Sequence, residues 1–276
     1  MSAPSPAQRA ITTAFSRTIW KPVRRALREY ALLQPGDRIA VCISGGKDSL
    51  LLACALNLLH QVSDVPFSLV GLSMDPGYTP ESRAQIERNL QALGIETHWY
   101  RTRLFETVNR ETDNPCFLCA RLRRGSLYET ALSLGCNKIA LGHHFDDVVE
   151  TTLLSMLYGG QVQTMLPKLR AKNYPGMQVI RPLYLVRERD ILAWREACGL
   201  TCLACSCEFA GRARRAGDPA SSKRYEIKQL IARLERDNDQ VAKNIFNSVK
   251  NVNVDDVLGW HQGAQRHSFL DGYDDA

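Results

Sequence analysis

The chain alternates short apolar runs with longer segments whose apolar residues recur at helical spacing. Short apolar runs bounded by turn residues are typical of buried β-strands. Five strands are predicted, at 38–44, 67–75, 97–102, 137–142 and 177–183. The longer segments predict helices, of which the clearest lie at 48–62, 80–94, 146–160, 187–199 and 223–238. Strands that alternate with helices predict an α/β fold: a doubly wound, mainly parallel five-stranded sheet with helical N- and C-terminal additions.

The segment before the first strand is basic and has the pattern of a surface helix. Its predicted buried stripe consists of Ile19, Val23, Ala26 and Tyr30, which recur at helical spacing. An organelle transit peptide is the alternative, since no acidic residue precedes Glu29. We favour the surface helix because the pattern continues into the first strand without a break that resembles a cleavage site.

Composition divides the chain into three parts. Residues 1–34 are predicted as a basic helical segment, residues 35–207 as the α/β domain, and residues 208–276 as C-terminal helices with an acidic tail. The third part begins with a basic loop at 208–222, which is small, polar and interrupted by glycine and proline. Such a composition predicts a flexible loop.

The overall composition is that of a soluble globular protein, with 45% hydrophobic and 23% charged residues among 276. No apolar run approaches the roughly 18 residues needed to span a bilayer. We therefore expect a cytoplasmic protein without a membrane partner. The net charge of +6 permits a nucleic-acid partner but does not require one.

The first motif is a glycine loop between the first predicted strand and the helix after it. It consists of Ser44, Gly45, Gly46, Lys47, Asp48 and Ser49. Open parallel sheets bind ligands at the carboxyl ends of their strands, and a helix N-terminus there favours an anion. The glycines let the backbone approach phosphate oxygens, Lys47 adds a positive charge, and Asp48 is placed to help hold Mg²⁺. A glycine turn followed by a capping Asp-Ser is the purely structural alternative.

This loop fits neither of the two common phosphate-binding patterns. It lacks the spacing of G-x-x-x-x-G-K-[ST] and also that of G-x-G-x-x-G. It resembles instead the SGGxDS signature of the PP-loop family, which uses the loop for the pyrophosphate of ATP and cleaves between the α- and β-phosphates. The resemblance implies that the protein binds ATP, and that Lys47 and the loop amides stabilise the leaving pyrophosphate.

A second polar motif follows the fourth predicted strand. Gly142 ends the strand, and His143, His144, Asp146 and Asp147 come after it. The position predicts a second ligand-facing loop beside the glycine loop. Magnesium or substrate contacts are favoured over a His/Asp zinc site, because no further histidine lies at ligand spacing. Either aspartate would also serve as a plain helix N-cap.

Cysteines form the third candidate site. Nine cysteines, with no export signal, argue against a disulfide framework. Four of them lie singly among apolar residues and are interpreted as small core residues: Cys42, Cys54, Cys136 and Cys198. The other five form Cys116-x-x-Cys119 and Cys202-x-x-Cys205-x-Cys207. A redox pair, a zinc site and an iron–sulfur site are all consistent with this spacing.

Four segments together resemble the TtcA-type tRNA 2-thiocytidine synthetases. They are "SGGKDSL", "PCFLCARLRRGSLY", "NKIALGHHFDDVVETTLLSMLYGG" and "IRPLYLVRERDI". The resemblance extends from about residue 35 to residue 207. It implies that ATP adenylates the C2 oxygen of a cytidine in the tRNA anticodon loop, and that sulfur then displaces AMP. It also implies Mg²⁺, a tRNA substrate, and a cysteine desulfurase or another sulfur donor, and it allows a homodimer.

The same family holds a 4Fe–4S cluster by three cysteines. The resemblance implies Cys116, Cys119 and Cys205 as the ligands in this sequence. Cys207 is an extra cysteine relative to the family pattern and is therefore a rival ligand. A four-cysteine cluster and a zinc site both stay open, as does the choice among Cys202, Cys205 and Cys207.

The predicted catalytic residues are Lys47, Asp48 and Asp147. Nucleotide binding is predicted for Ser44, Gly45, Gly46, Lys47, Asp48, Ser49, Gly142 and His143. Three alternative functions are a related thiolase acting on uridine or another RNA, a zinc-stabilised RNA-binding protein without turnover, and a PP-loop amidotransferase or lysidine-type ligase. The intact SGGKDS and the cysteine groups favour tRNA thiolation over the other functions.

Overall fold

The computed structural model describes residues 4–75, 77–102, 115–203, 223–271 and 273, and for residues 115–123 it describes the backbone alone. The predicted flexible loop at 208–222, Cys205 and Cys207 lie outside the described residues. The same is true of the boundary between residues 207 and 208, so the three-part division of the chain stays a prediction.

The N-terminal segment is helical and packs into the core. It consists of helix α1 (Pro6–Thr12), a π-helical turn (Ser16–Trp20) and helix α2 (Lys21–Glu29). Ile19, Val23 and Ala26 are fully buried and Tyr30 is half-buried, which confirms the predicted apolar stripe. The π-helical turn was not predicted, because one additional residue per turn leaves no clear mark in the sequence pattern.

A single six-stranded sheet forms the centre of the fold. Its strands are β1 (Asp37–Cys42), β2 (Phe67–Asp75), β3 (Thr97–Arg101), β4 (Lys138–Ala140), β5 (Lys168–Arg170) and β6 (Gln178–Ile180). The order is β3-β2-β1-β4-β6-β5, and every neighbouring pair is parallel except β5 with β6. The α/β, mainly parallel fold is thereby confirmed, with one short antiparallel edge strand that was not predicted.

Helices cover the sheet and extend the chain beyond it. They are α3 (Lys47–Val62), α4 (Pro80–Leu93), α5 (Pro115–Ser133), α6 (Phe145–Gly159), α7 (Glu188–Ala197), α8 (Lys223–Asp237) and α9 (Val241–Ser248). A hairpin of β7 (Gly259–Gln262) and β8 (Gln265–Ser268) follows and was not predicted. No helix within the described residues is long and apolar enough to cross a membrane.

Four cysteines belong to the packing of the fold. Cys54 and Cys136 are buried, and Cys42 and Cys198 are half-buried against the hydrophobic core. Burial raises the pKa of all four thiols, which keeps them protonated at neutral pH. The prediction that these four are small core residues is confirmed.

The topology places a ligand crevice beside the central strand β1. After β1 the chain builds the sheet outward through β2 and β3, and it then crosses to β4 on the other side of β1. The loops after β1 and β4 therefore leave the sheet in opposite directions and open a crevice at the carboxyl edge. Both polar motifs lie in these two loops.

A buried ion pair closes the opposite, amino edge of the sheet. The ammonium nitrogen of Lys138 lies 2.6 Å from a carboxylate oxygen of Asp37, and both side chains are at most 3% exposed. Burial raises the pKa of Asp37, but hydrogen bonds from Lys138, Asn137 and the Gln34 amide outweigh it and leave this pKa lowered. The pair thus joins β1 to β4.

Replacing Lys138 with methionine is expected to lower the free energy of unfolding by about 3–5 kcal/mol, because Asp37 would be left as an unpaired buried charge. Urea denaturation at neutral pH measures this loss. The double variant Asp37→Asn/Lys138→Met should lose less than Lys138→Met alone. Since the pKa of Asp37 is lowered on folding, its contribution is present above the unfolded pKa of about 3.9 and is lost as the pH falls through the folded pKa. A double variant as unstable as the single one would contradict this account.

Candidate functional site

The glycine loop turns the chain sharply from β1 into α3. Gly45 adopts the left-handed conformation, with φ of +76°. A Cβ atom at this position would lie 2.6 Å from Cγ1 of Ile86, well inside contact distance. Gly46 caps α3 and has no side chain to accept hydrogen bonds from the first-turn amides. The loop therefore presents backbone N–H groups at the positive end of a helix, where an anion is favoured.

Hydrogen bonds hold the glycine loop in this shape. The Ser44 amide donates to Oγ of Ser49 at 3.1 Å, and that hydroxyl donates to the Gly46 carbonyl at 2.9 Å. From a distant part of the chain, the Leu203 amide donates to the Gly45 carbonyl at 3.1 Å. The loop is thus preorganised by residues on both of its sides.

Gly142 brings the second polar loop into contact with the first. A Cβ atom on Gly142 would lie 3.0 Å from the carbonyl carbon of Asp48 and 3.2 Å from the amide nitrogen of Ser49. Both neighbours are backbone atoms at the start of α3, which cannot move aside as a flexible side chain does. Glycine at this position therefore allows the β4–α6 loop to approach the glycine loop closely.

His144 lies buried among three carboxylates. The helix α6 begins at Phe145, so Asp146 and Asp147 lie in its first turn and not before it. The ring nitrogens of His144 are 3.5–3.8 Å from carboxylate oxygens of Asp48, Asp146 and Asp147. Asp147 also accepts the His144 amide at 3.0 Å, but the N-cap residue is His144 itself, so the prediction of an aspartate at the N-cap position is wrong. The structure thus brings the two predicted catalytic aspartates, Asp48 and Asp147, to one place.

His143 is held as a neutral ring on the other side of this loop. Its Nδ1 accepts a hydrogen bond from Nε of Arg181 at 3.3 Å. Burial, followed by the nearby positive charge of Arg181, lowers the pKa of His143 to about 4. At neutral pH this ring therefore carries no charge and offers polar contacts alone.

A cavity of about 480 Å³ opens between the two loops. Its polar wall contains the residues of the glycine loop and the second loop: Ser44, Gly46, Asp48, Ser49, Gly142, His143 and Asp147. Its apolar wall contains Ile43, Leu72, Met74, Leu127 and Leu141. The volume is typical of small-molecule sites, and one apolar wall beside one polar wall suits a base joined to phosphates.

Lys47 links the glycine loop to helix α7. Its ammonium nitrogen lies 3.0 Å from Asp48 and 3.1 Å from Glu188, and Glu188 is also 2.5 Å from Lys228 of α8. Burial lowers the pKa of Lys47, but the two carboxylates outweigh it and leave this pKa raised. Burial likewise raises the pKa of Glu188, but Lys228 and Lys47 outweigh it and lower this pKa to about 2. Lys47 and Glu188 are therefore both charged at neutral pH.

A second cavity, of about 330 Å³, adjoins the first. Asp48 and Asp147 line both cavities. The remaining wall of the second cavity is formed by Lys47, His144, Glu150, Glu188, Arg224, Tyr225 and Lys228. Nε of Arg224 lies 3.2 Å from the carboxylate of Glu150, which is 8% exposed. Burial raises the pKa of Glu150, and Arg224 partly offsets this effect.

The sequence patterns did not reveal four of these polar residues, Glu150, Glu188, Arg224 and Lys228. Each lies within a segment that was correctly predicted to be helical, where a charged residue usually indicates a solvated face. A usable signal for Glu150 and Glu188 was that both lie within segments that carry the family resemblance, "NKIALGHHFDDVVETTLLSMLYGG" and "IRPLYLVRERDI". The side chains that meet them come from distant parts of the chain.

The structure describes only part of the cysteine groups. The backbone of Cys116 and Cys119 lies in α5, which begins at Pro115. Cys202 is half-buried and is adjacent to Leu203, which binds the glycine loop. Within the described residues, no group of three His, Cys, Asp or Glu side chains is placed to hold a metal ion. The later cysteine group therefore begins beside the glycine loop, while its predicted cluster ligands are not described.

Comparison with known proteins identifies the family. A family model described as a PP-loop domain matches residues 16–203. A tRNA-cytidine(32) 2-sulfurtransferase from Citrifermentans bemidjiense is 36% identical over 249 residues, which cover 89% of this chain and 94% of that protein. The protein with the same name from Syntrophotalea carbinolica is 38% identical over 86% of this chain and 89% of that protein. This chain belongs to the TtcA-type tRNA-cytidine 2-sulfurtransferase family.

The predicted resemblance is thereby confirmed, and with it the prediction of a transferase that contains an ATP-binding PP-loop domain. Among solved structures, the chain is similar to the U34-tRNA thiolase NcsA from Methanococcus maripaludis with its [4Fe-4S] cluster. The TM-score is 0.64 at 20% identity, and the match covers 84% of this chain and 77% of that one. This likeness supports the fold.

Proposed function

We propose that this protein replaces the C2 oxygen of a cytidine in the tRNA anticodon loop with sulfur, at the expense of ATP. The observation that carries the proposal is the junction of the two loops at Gly142, which places Asp48 and Asp147 in the walls of both cavities and Lys47 in the wall of the second. The names of the curated relatives support cytidine at position 32 as the target. Membership of the family supports thiolation of tRNA without specifying the position.

The larger cavity fits ATP with Mg²⁺. The glycine loop offers for the phosphates the first-turn amides of α3, which receive no side-chain cap from Gly46, and the apolar wall offers packing for the adenine base. One oxygen of Asp48 is buried and has no hydrogen-bond partner among the described residues. Mg²⁺ typically binds through one or two carboxylates, water and substrate phosphates. Asp48 and Asp147 would hold the ion, which neutralises phosphate charge when bound.

The reaction proceeds in two steps. The C2 oxygen of the base attacks the α-phosphorus of ATP, the bond to the β-phosphate oxygen breaks, and pyrophosphate leaves. Lys47 and the amides of the glycine loop stabilise the negative charge that develops on the leaving group. A sulfide sulfur then attacks C2, the C2–O bond breaks, AMP leaves, and the proton of the sulfide is released to water.

A 4Fe–4S cluster is proposed to bind at Cys116, Cys119 and Cys205, with Cys207 as a rival ligand. Thiolates are the usual ligands of such clusters, and Cys116 and Cys119 lie one helical turn apart in α5. When bound, the cluster would supply an iron atom that holds sulfide for the second step. The solved thiolase to which the chain is similar contains a [4Fe-4S] cluster, as its name states. A cysteine desulfurase or another sulfur donor, and assembly as a homodimer, stay predictions.

Analysis of tRNA nucleosides tests the proposed function. Deletion of this protein's gene is expected to remove 2-thiocytidine, and the wild-type chain should restore it. Variants of the later cysteine group identify the third ligand, because only the Cys→Ser change at a required ligand should abolish restoration. The expected order of effect is loss for Cys205→Ser and retention for Cys202→Ser and Cys207→Ser.

Anaerobic purification provides the control for these variants. The wild-type protein should contain iron and sulfide after reconstitution, whereas stoichiometric zinc without iron would contradict the cluster. Loss of a thiolated uridine in the deletion strain, with 2-thiocytidine intact, would contradict the choice of cytidine. Full activity of Cys116→Ala would favour a PP-loop ligase that needs no cysteines.

A further inference from the structure

The second cavity lies where the RNA substrate must meet ATP. It shares Asp48 and Asp147 with the larger cavity, is also lined by Lys47, and lies against helix α8. The proposed reaction needs a base whose C2 oxygen reaches the α-phosphorus of ATP, so the two substrates must occupy adjoining spaces. We propose that the second cavity binds the target cytosine, and that Glu150 and Arg224 read its Watson–Crick edge.

The hydrogen-bonding groups of this cavity complement cytosine. On its Watson–Crick edge cytosine presents an amino donor at N4 and acceptors at N3 and O2, and carboxylates are known to accept from N4. Glu150 supplies a carboxylate, and Arg224 supplies several N–H donors only 3.2 Å away. Without a base, the two side chains satisfy each other. Uracil presents an acceptor at position 4, which would face the carboxylate and be repelled.

The charges that line the cavity are nearly balanced. Four carboxylates line it, from Asp48, Asp147, Glu150 and Glu188, and three cations do so, from Lys47, Arg224 and Lys228. A neutral base that both donates and accepts hydrogen bonds suits a wall that offers groups of both kinds.

Tyr225 adds an aromatic surface at the cavity. Its side chain lines the cavity and is 39% exposed, so a ligand in the cavity can reach the ring. Proteins that recognise RNA loops commonly stack an unpaired base on an aromatic ring and read its Watson–Crick edge with polar side chains. Tyr225 follows Arg224 directly, so one turn of α8 supplies both the stacking surface and the donor.

The test compares two anticodon stem-loop RNAs that differ only in cytidine or uridine at the target position. This proposal rests on the proposed function. The wild-type protein tests that function without any variant, because it should thiolate the cytidine RNA faster than the uridine RNA. For Glu150→Gln, kcat/KM with the cytidine RNA is expected to fall roughly 10- to 100-fold. The kcat/KM with the uridine RNA should fall much less, because the new amide can donate to O4. The cytidine-to-uridine ratio of kcat/KM should therefore fall. The dissociation constants of the two RNAs without ATP should converge.

Two further variants keep the test decisive. Arg224→Lys keeps a positive charge beside Glu150 and changes an exposed position, so it should fold even if Glu150→Gln does not, and it should also lower the cytidine-to-uridine ratio. Glu226→Gln is the matched control, since Glu226 lies on the same helix and pairs only with Lys223 and Tyr158 among the described residues. It should leave both RNAs unaffected.

Two results would overturn the assignment. The first is an unchanged cytidine-to-uridine ratio in Glu150→Gln and Arg224→Lys. The second is a rise in the KM of ATP that is equal for both RNAs, which would make this cavity a phosphate site. A wild-type protein that thiolates only the uridine RNA would instead contradict the proposed function itself.

Discussion

Replacing Lys47 with methionine is expected to lower the rate of tRNA thiolation about a hundredfold or more at saturating ATP. Methionine preserves the length of the side chain but removes the charge that, in the proposed mechanism, stabilises the leaving pyrophosphate. Because that charge develops mainly in the transition state, kcat should fall more than the KM of ATP rises. Single-turnover measurements of pyrophosphate release and 2-thiocytidine formation separate the first chemical step from product release.

The matched control for this change is Lys223→Met. Lys223 is also a lysine that pairs with a glutamate, at 2.9 Å from Glu226, but it is 59% exposed and lies outside both cavities. Its replacement should leave kcat close to that of the wild type. Pyrophosphate release by Lys47→Met at more than half the wild-type rate would show that the loop amides and Mg²⁺ suffice without the lysine.

Alanine at the two glycines of the loop is expected to have different effects on folding. Gly45→Ala places a side chain in the left-handed conformation, which costs about 1–2 kcal/mol, and drives its Cβ into Ile86. This variant should be destabilised and should not bind ATP. Gly46 has φ of −76°, and a Cβ there would meet nothing closer than Oγ of Ser44 at 3.5 Å. Gly46→Ala should therefore fold with nearly wild-type stability.

ATP binding by Gly46→Ala tests the phosphate contact directly. The space beside Gly46 is open in the protein, so a loss of ATP affinity of about tenfold would mean that the ligand occupies it. Gly36→Ala is the control for backbone strain, because Gly36 has φ of +82° and a Cβ atom there would meet nothing within 4 Å. It should lose stability and keep ATP affinity. Thermal unfolding and titration calorimetry measure both quantities, and full ATP affinity in Gly46→Ala would contradict a phosphate at this glycine.

The strands of the sheet could be predicted to the extent that each is apolar. Four of the five predicted strands lie between two neighbours in the sheet and contain apolar runs, whereas β3 is an edge strand without a buried residue. β5 contains only three residues at the antiparallel edge, and two of them, Lys168 and Arg170, are basic. The hairpin of β7 and β8 consists of mostly polar, exposed residues. Neither element offers the apolar pattern on which the prediction depended.

The candidate site was predictable where its residues follow strands and not where they come from helices. Ser44–Ser49 and Gly142–Asp147 lie at the carboxyl ends of neighbouring strands, so the topology of a parallel sheet brings them together. Glu188 and Arg224 are close to these loops only because α7 and α8 pack across the crevice. Such packing depends on the whole tertiary structure and has no local signal in the sequence.

The hydrogen bond from Leu203 to Gly45 has a consequence for synthesis of the chain. The amide and the carbonyl that it joins are far apart in sequence, and Leu203 is also the last residue matched by the PP-loop family model. A growing chain can form β1 and α3 early, but the glycine loop gains this support only after residue 203 has left the ribosome. Local contacts form before such distant ones. The nascent protein should therefore acquire its full affinity for ATP late, when the last cysteines have already been added to the chain.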